Sequence, residues 1–158
     1  MNRDAVSLRY DMWMRVTSFL TLVLCLTAAG CGGDDNPTGP AANVPYSATD
    51  LKVGTGTEAT NGRTVTVNYT GWLYSTTAAD NKGTQFDSSL NPGRTPFTFT
   101  VGVSNVISGW HQGVPGMRVG GTRRLVLPPS LAYGSQGNPP AIPGNATLIF
   151  DIELLAVQ

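Results

Sequence analysis

Eleven consecutive residues, Thr64 to Tyr74, constrain the fold of this chain more than any other segment. The run Thr-Val-Thr-Val-Asn-Tyr-Thr-Gly-Trp-Leu-Tyr is β-branched and aromatic and alternates with period two. Side chains on a strand point to opposite faces in turn, so such a run buries one face and leaves the other wet. Three further segments carry the same signal. Phe97-Thr98-Phe99-Thr100-Val101 is ended by Gly102, and Thr122 to Leu127 is stopped by Pro128-Pro129. Ala146 to Leu155 closes the series, with Asp151 and Glu153 expected on its solvent face. A weaker strand covers Asp50 to Val53. One short helix is expected from Val106 to Gly113, capped by Ser104 or Asn105 and burying Ile107, Trp110 and Val114 on one face. Ser75 to Gln85, Asn91-Pro92-Gly93 and Pro129 to Gly144 carry turn residues. Mostly antiparallel strands with one short helix make an α+β fold, its sheet curved around the helix.

The 158 residues suffice for one domain with appendages, and the first thirty read as a leader. Arg3, Arg9 and Arg15 precede an apolar run from Phe19 to Ala29. That run is shorter than the roughly 20 residues a membrane span needs and fits the apolar middle of a secretory signal. The small residues Ala28-Ala29-Gly30 before Cys31 are similar to the cleavage site of bacterial lipoproteins. Residues 1–30 are therefore expected to be a signal peptide, with Cys31 lipidated as the first mature residue. Residues 31–46 would be a flexible Gly/Pro/Asp tether, and residues 47–158 the folded domain. The resemblance to such lipoproteins, which are held back when Asp follows the cysteine, implies with Gly32 in that place delivery to the outer membrane, facing the periplasm of a bacterial cell envelope. Cys25 would leave with the leader, so no internal disulfide is expected.

Charge points to no partner. Lys and Arg number 10, as do Asp and Glu, for a formal net charge of zero. Loss of the leader removes three arginines and two aspartates, leaving a net of −1. No nucleic-acid surface is implied. With one histidine and two cysteines, a metal site or a nucleophilic constellation has few candidates. His111 reads as a surface group, and Asp151 with Glu153 as a solvated face instead of a carboxylate pair. Phe99, Trp72 and Leu148 read as core. No metal and no cofactor is expected.

The chemistry lies instead in four short motifs: Val67-Asn68-Tyr69-Thr70-Gly71, Phe86-Asp87-Ser88-Ser89, Val106-Ile107-Ser108-Gly109-Trp110 and Ala132-Tyr133-Gly134. Together they can build an apolar aromatic cleft with a few polar groups on its wall. In content and order, with Ile142-Pro143 and the closing Leu148 to Leu155, they resemble the FKBP-type peptidyl-prolyl cis-trans isomerases over roughly residues 47–157. The resemblance implies a sheet of five to six antiparallel strands wrapped around the helix, with substrate between them. It implies that Trp110 is the floor under a proline ring and that Tyr69, Phe97, Val106, Ile107, Ile142 and Phe150 surround that ring. The Ile107 N–H and the Tyr133 hydroxyl would hydrogen-bond substrate carbonyls, while Asp87 and Phe86 flank the rotating amide. Arg94 stands near the family's basic partner of Asp87. Asn138 replaces the loop histidine of the best-known members, and Ala141 a larger apolar residue.

The function implied is rotation about Xaa-Pro bonds of exported proteins, with proline-containing polypeptides as partners and macrolides as possible inhibitors. The alternative is a proline-binding chaperone module whose turnover is incidental; an adhesin or assembly factor using the same groove is a blander third. A monomer is expected by default for a domain of this size.

Overall fold

The structure, a computed structural model, describes residues 44–158. The signal peptide, Cys31 and nearly all of the tether lie outside the described residues. Six strands form one antiparallel sheet. They are β1 (Ser47–Lys52), β2 (Thr64–Tyr74), β3 (Lys82–Ser88), β4 (Phe97–Thr100), β5 (Thr122–Leu127) and β6 (Leu148–Val157). The order is β1-β5-β6-β2-β3, with β4 also on β2. Among the described residues one α-helix, α1 (Ser108–Gly113), accompanies the sheet.

β2 organises the sheet because it is long enough to serve two partners along one edge. Its first residues, Thr64 to Val67, pair with β4, and Thr70 to Tyr74 pair with β3. The other edge runs along β6 from Val65 to Leu73. Alternation decides what is buried. Val65 and Val67 on β2 and Leu148, Phe150, Ile152 and Leu154 on β6 join one core with Leu125 and Leu127 of β5. The helix seats on β5 through two glycines. A Cβ on Gly109 would lie 2.5 Å from Leu127 Cδ2, and one on Gly113 2.5 Å from Leu125 Cδ1. A side chain at either position would force the buried Leu127 or Leu125 to shift or α1 to move off the sheet.

Several expectations need correction. The stretch Ser75 to Gln85 is not all turn: a 3₁₀ turn at Ala79–Asn81 leads into β3 at Lys82. The helix starts at Ser108 and its N-cap, Ile107, makes no side-chain cap bond. Ser104 Oγ instead accepts the Thr100 N–H at 2.8 Å. Trp72 is on the outer face, half-buried, with Lys82 Nζ 4.1 Å from its ring centroid. Phe99 and Leu148 are in the core as read. Asp151 alternates with buried residues as expected but is not simply solvated. It accepts from Arg124 Nε at 2.7 Å, Arg124 Nη2 at 3.1 Å and Lys82 Nζ at 2.6 Å. His111 is no free surface group; both ring nitrogens lie within hydrogen-bond distance of backbone atoms.

Candidate active site

The concave side of the sheet and α1 enclose a cleft of about 550 Å³. It is lined by Tyr69, Phe86, Asp87, Phe97, Asn105, Val106, Ile107, Ser108, Trp110, Ala132, Tyr133 and Phe150. All four motifs converge here from β2, β3, the segment entering α1, and the loop after β5. Nine of the ten catalytic and substrate-binding positions read from the sequence are on this wall. Ile142 is not: it is 2% exposed within the core, where its backbone exchanges hydrogen bonds of 3.0 and 2.8 Å with Asn138. Asn105, Ser108 and Ala132 line the cleft without having been assigned to it. Asn105 carried no signal for the cleft beyond adjacency to Val106-Ile107, whereas Ser108 and Ala132 lay inside motifs already singled out.

The floor is an aromatic nest. Trp110 is 5% exposed. Its indole meets Tyr69 edge-on at 5.2 Å, Phe97 at 5.8 Å and Phe150 at 5.4 Å, with interplanar angles of 73°, 77° and 87°. Phe86 meets Phe150 at 5.5 Å and 84°. Edge-to-face contacts of this kind fix ring orientation and add about 0.5–1.5 kcal/mol per pair beyond area burial. The Trp110 Nε1–H is buried with no hydrogen-bond partner among the described residues. An orphaned buried donor costs about 1–3 kcal/mol, so this site keeps an indole against a stability penalty.

One charged group reaches the wall. Asp87 Oδ2 accepts the Tyr69 hydroxyl at 2.5 Å, and Arg94 Nη2 lies 3.1 and 3.3 Å from the two carboxylate oxygens. The Ser88 N–H donates to Oδ1 at 2.9 Å. This ion pair is largely open to water, so it adds little to stability; its effect is to hold the carboxylate in one orientation. Burial, then the hydrogen bond to Asp87, raises the Tyr69 phenol above its ordinary value of 10.0. Burial, then the Asp87 charge, does the same for Tyr133. Both hydroxyls therefore remain donors throughout the neutral range.

An apolar cleft, two phenolic donors and a pinned carboxylate suit a reaction that reorganises charge without breaking a bond. Comparison with known proteins decides the family. The model of the FKBP-type peptidyl-prolyl cis-trans isomerase family matches residues 55–155. The chain belongs to that family. An FK506-binding protein of Neisseria meningitidis serogroup A is 49% identical over 108 residues, covering 68% of this chain and 92% of the relative. FK506-binding protein 4 of Dictyostelium discoideum is 48% identical over 122 residues, or 76% of this chain, which spans only 31% of that relative. The crystal structure of AtFKBP13 superposes with a TM-score of 0.61 at 40% identity, covering 72% of this chain and 93% of that one. The activity that names the family, cis-trans isomerisation of the peptide bond before proline, is the activity of this FKBP domain.

Proposed function

We propose that the cleft binds the proline of a polypeptide over Trp110 and lowers the barrier to rotation by excluding water and orienting the twisted amide. The supporting observation is a carboxylate, Asp87, pinned by Tyr69 and Arg94 beside an aromatic floor. Rotation must break amide resonance, at a barrier of about 18–20 kcal/mol. The two Xaa-Pro isomers differ by only about 0.5–1 kcal/mol, so the difficulty is kinetic. In the half-rotated amide the carbonyl is less charge-separated and the nitrogen more pyramidal. A dry apolar wall favours that state over the planar, solvated one. A 10⁴-fold acceleration asks for roughly 5–6 kcal/mol of such preference.

Under this reading Tyr69, Phe97, Val106, Ile107 and Phe150 surround the proline ring. The Ile107 N–H and the Tyr133 hydroxyl take the carbonyls on either side of the rotating bond. Phe86 and Asp87 face the rotating amide, where the carboxylate acts as a fixed dipole and transfers no proton. Ile142 supports the overhanging loop from the core instead of touching substrate. Macrolides of the kind that name the relatives would occupy the same cleft.

The cellular half of the proposal rests on the leader. With Cys31 lipidated, the domain would be tethered to the outer membrane by residues 31–46 and would act on exported proteins in the periplasm as a monomer. Uncatalysed prolyl isomerisation takes tens to hundreds of seconds, and an isomerase needs no ATP. Metabolic labelling with a fatty-acid analogue tests the anchor: label lost in Cys31→Ser supports it, and label retained refutes it. For catalysis, NMR exchange on a short Xaa-Pro peptide should show accelerated interconversion that Asp87→Ala cuts sharply. Binding without acceleration would leave a proline-recognition module.

A further inference from the structure

The one histidine of the chain sits next to Trp110 on α1, yet it does not line the cleft. It is tied down instead. The Gly102 N–H donates to His111 Nδ1 at 2.8 Å, and Nε2 lies 2.9 Å from the Ser104 carbonyl oxygen. An Nδ1 that accepts leaves the ring proton on Nε2, which donates to Ser104. The imidazole is therefore neutral and fixed in one tautomer, bridging the helix to the turn that follows β4.

That turn leads directly into the substrate wall. The Ser104 oxygen that receives His111 also accepts the Val106 N–H at 2.9 Å, and Asn105, Val106 and Ile107 then line the cleft. Apolar burial does not hold the turn, since Val103 at its tip is 75% exposed. Hydrogen bonds do. Besides those to His111, the Thr100 carbonyl accepts the Val103 and Ser104 N–H groups at 3.2 and 3.0 Å, and the Thr100 N–H reaches Ser104 Oγ.

We propose that His111 is a positioning residue for this isomerase. As a neutral donor–acceptor it fixes the Gly102–Ile107 segment that presents the Val106 wall and the Ile107 N–H to substrate, and its protonation releases that segment. An imidazolium has a proton on both nitrogens, so Nδ1–H would oppose the Gly102 N–H. The partners of the ring are Gly102, Ser104 and the Phe99 ring at 6.2 Å, none of them charged. Apart from His111 itself, α1 carries no ionisable side chain. The inference rests on the isomerase reading of the cleft.

The test compares the full chain with His111→Ala and His111→Gln, whose amide keeps one acceptor and one donor without titrating. Peptide exchange is followed from about pH 8 to about pH 5. Loss of two hydrogen bonds should raise KM about tenfold in His111→Ala with kcat little changed. The wild type should lose affinity on acidification, and His111→Gln should keep both low KM and a flat profile. The ¹⁵N–¹H resonances of Gly102 and Ile107 give a readout independent of turnover: they should move with pH in the wild type and not in His111→Gln. Wild-type KM in His111→Ala, the same acid loss in His111→Gln, or pH-insensitive Gly102 and Ile107 amides would each overturn the proposal. A wild type with no turnover but titrating amides would overturn only the isomerase reading on which it rests.

Discussion

The Tyr69 hydroxyl donates to Asp87 Oδ2 across 2.5 Å, joining β2 to β3 at the wall of the cleft. β2 and β3 pair irregularly beyond this point, with register shifts at Gly71/Trp72 and Trp72/Tyr74. The phenol therefore does what a regular ladder would otherwise do: it fixes where β3 presents its carboxylate. Arg94 completes the hold from the β3–β4 loop.

Removing that hydroxyl should cost activity more than stability. Without the phenol the Asp87 carboxylate is no longer held in one orientation, so Tyr69→Phe should lower kcat/KM about tenfold or more. The ring remains, and the melting temperature should move little. Because Tyr69 is argued to act through Asp87, Tyr69→Phe combined with Asp87→Ala should be no worse than Asp87→Ala alone. Additive losses would show that the two act independently.

Trp110 separates the needs of the fold from those of the cleft. Trp110→Ala opens a large hole among four aromatic rings and should cost about 3–5 kcal/mol of stability. Trp110→Phe keeps most of the volume and removes the orphaned indole N–H, so its stability should stay within about 1.5 kcal/mol of wild type. Its kcat/KM should nevertheless fall, because the floor under the proline ring is narrower. Chemical denaturation and peptide exchange on both variants check this. Trp110→Phe with wild-type kcat/KM would show that the indole has no part in catalysis.

How much of this was legible in the sequence depends on how each element is buried. β2 and β5 were read with their observed ends, and β4 and β6 within two residues, because one face alternates into the core. β3 was missed because Lys82-Gly83-Thr84-Gln85 has no apolar alternation; it pairs irregularly, with Lys82 and Gly83 half-buried and Thr84 and Gln85 exposed. Trp72 was placed in the core for being aromatic, although parity with Thr66, Asn68 and Thr70 puts it outside. Eight of the nine wall residues lie in the motifs that carry the family resemblance; the ninth, Phe97, lies on the β4 strand signal. Ile142 lies off the wall, in the core, because local backbone pairing with Asn138 folds it under the loop, a pairing that the Ile142-Pro143 motif does not reveal. His111 was read as a surface group because both its partners are backbone atoms, invisible to side-chain patterns.

Gly71 offers a test of packing behind the wall. A Cβ there would lie 2.5 Å from Phe86 Cζ and 2.8 Å from Phe150 Cε1, both rings of the cleft. Gly71→Ala should therefore push Phe86 and Phe150 toward the substrate, at a stability cost of about 1–3 kcal/mol. The expected result is a kcat/KM reduced by more than the change in folded fraction allows. Unchanged catalysis would mean that the rings relax away from the cleft.

Acid stability should trace in part to Asp151. Burial alone would raise its carboxyl, but hydrogen bonds from Arg124 and Lys82 outweigh this and hold it below its ordinary 3.8. A folded value below the unfolded one adds stability that is complete above the unfolded carboxylate range and disappears as pH falls through the folded value. Asp151→Asn should lose about 1–3 kcal/mol at neutral pH. It should also show a shallower fall in stability than wild type below about pH 4. Parallel curves for the two proteins would place the acid sensitivity elsewhere.

Under the proposed mechanism the cleft accelerates rotation by shape, dryness and a fixed carboxylate, without proton transfer. Its most direct test is the cis-to-trans exchange rate of a short Xaa-Pro peptide, measured by NMR with wild type, Asp87→Ala and Trp110→Ala, and repeated with an FKBP-directed macrolide. We expect fast exchange in the wild type, blocked by the macrolide and cut sharply by either substitution, with no solvent isotope effect on kcat. Exchange indifferent to Asp87 and Trp110, or a large solvent isotope effect, would contradict it.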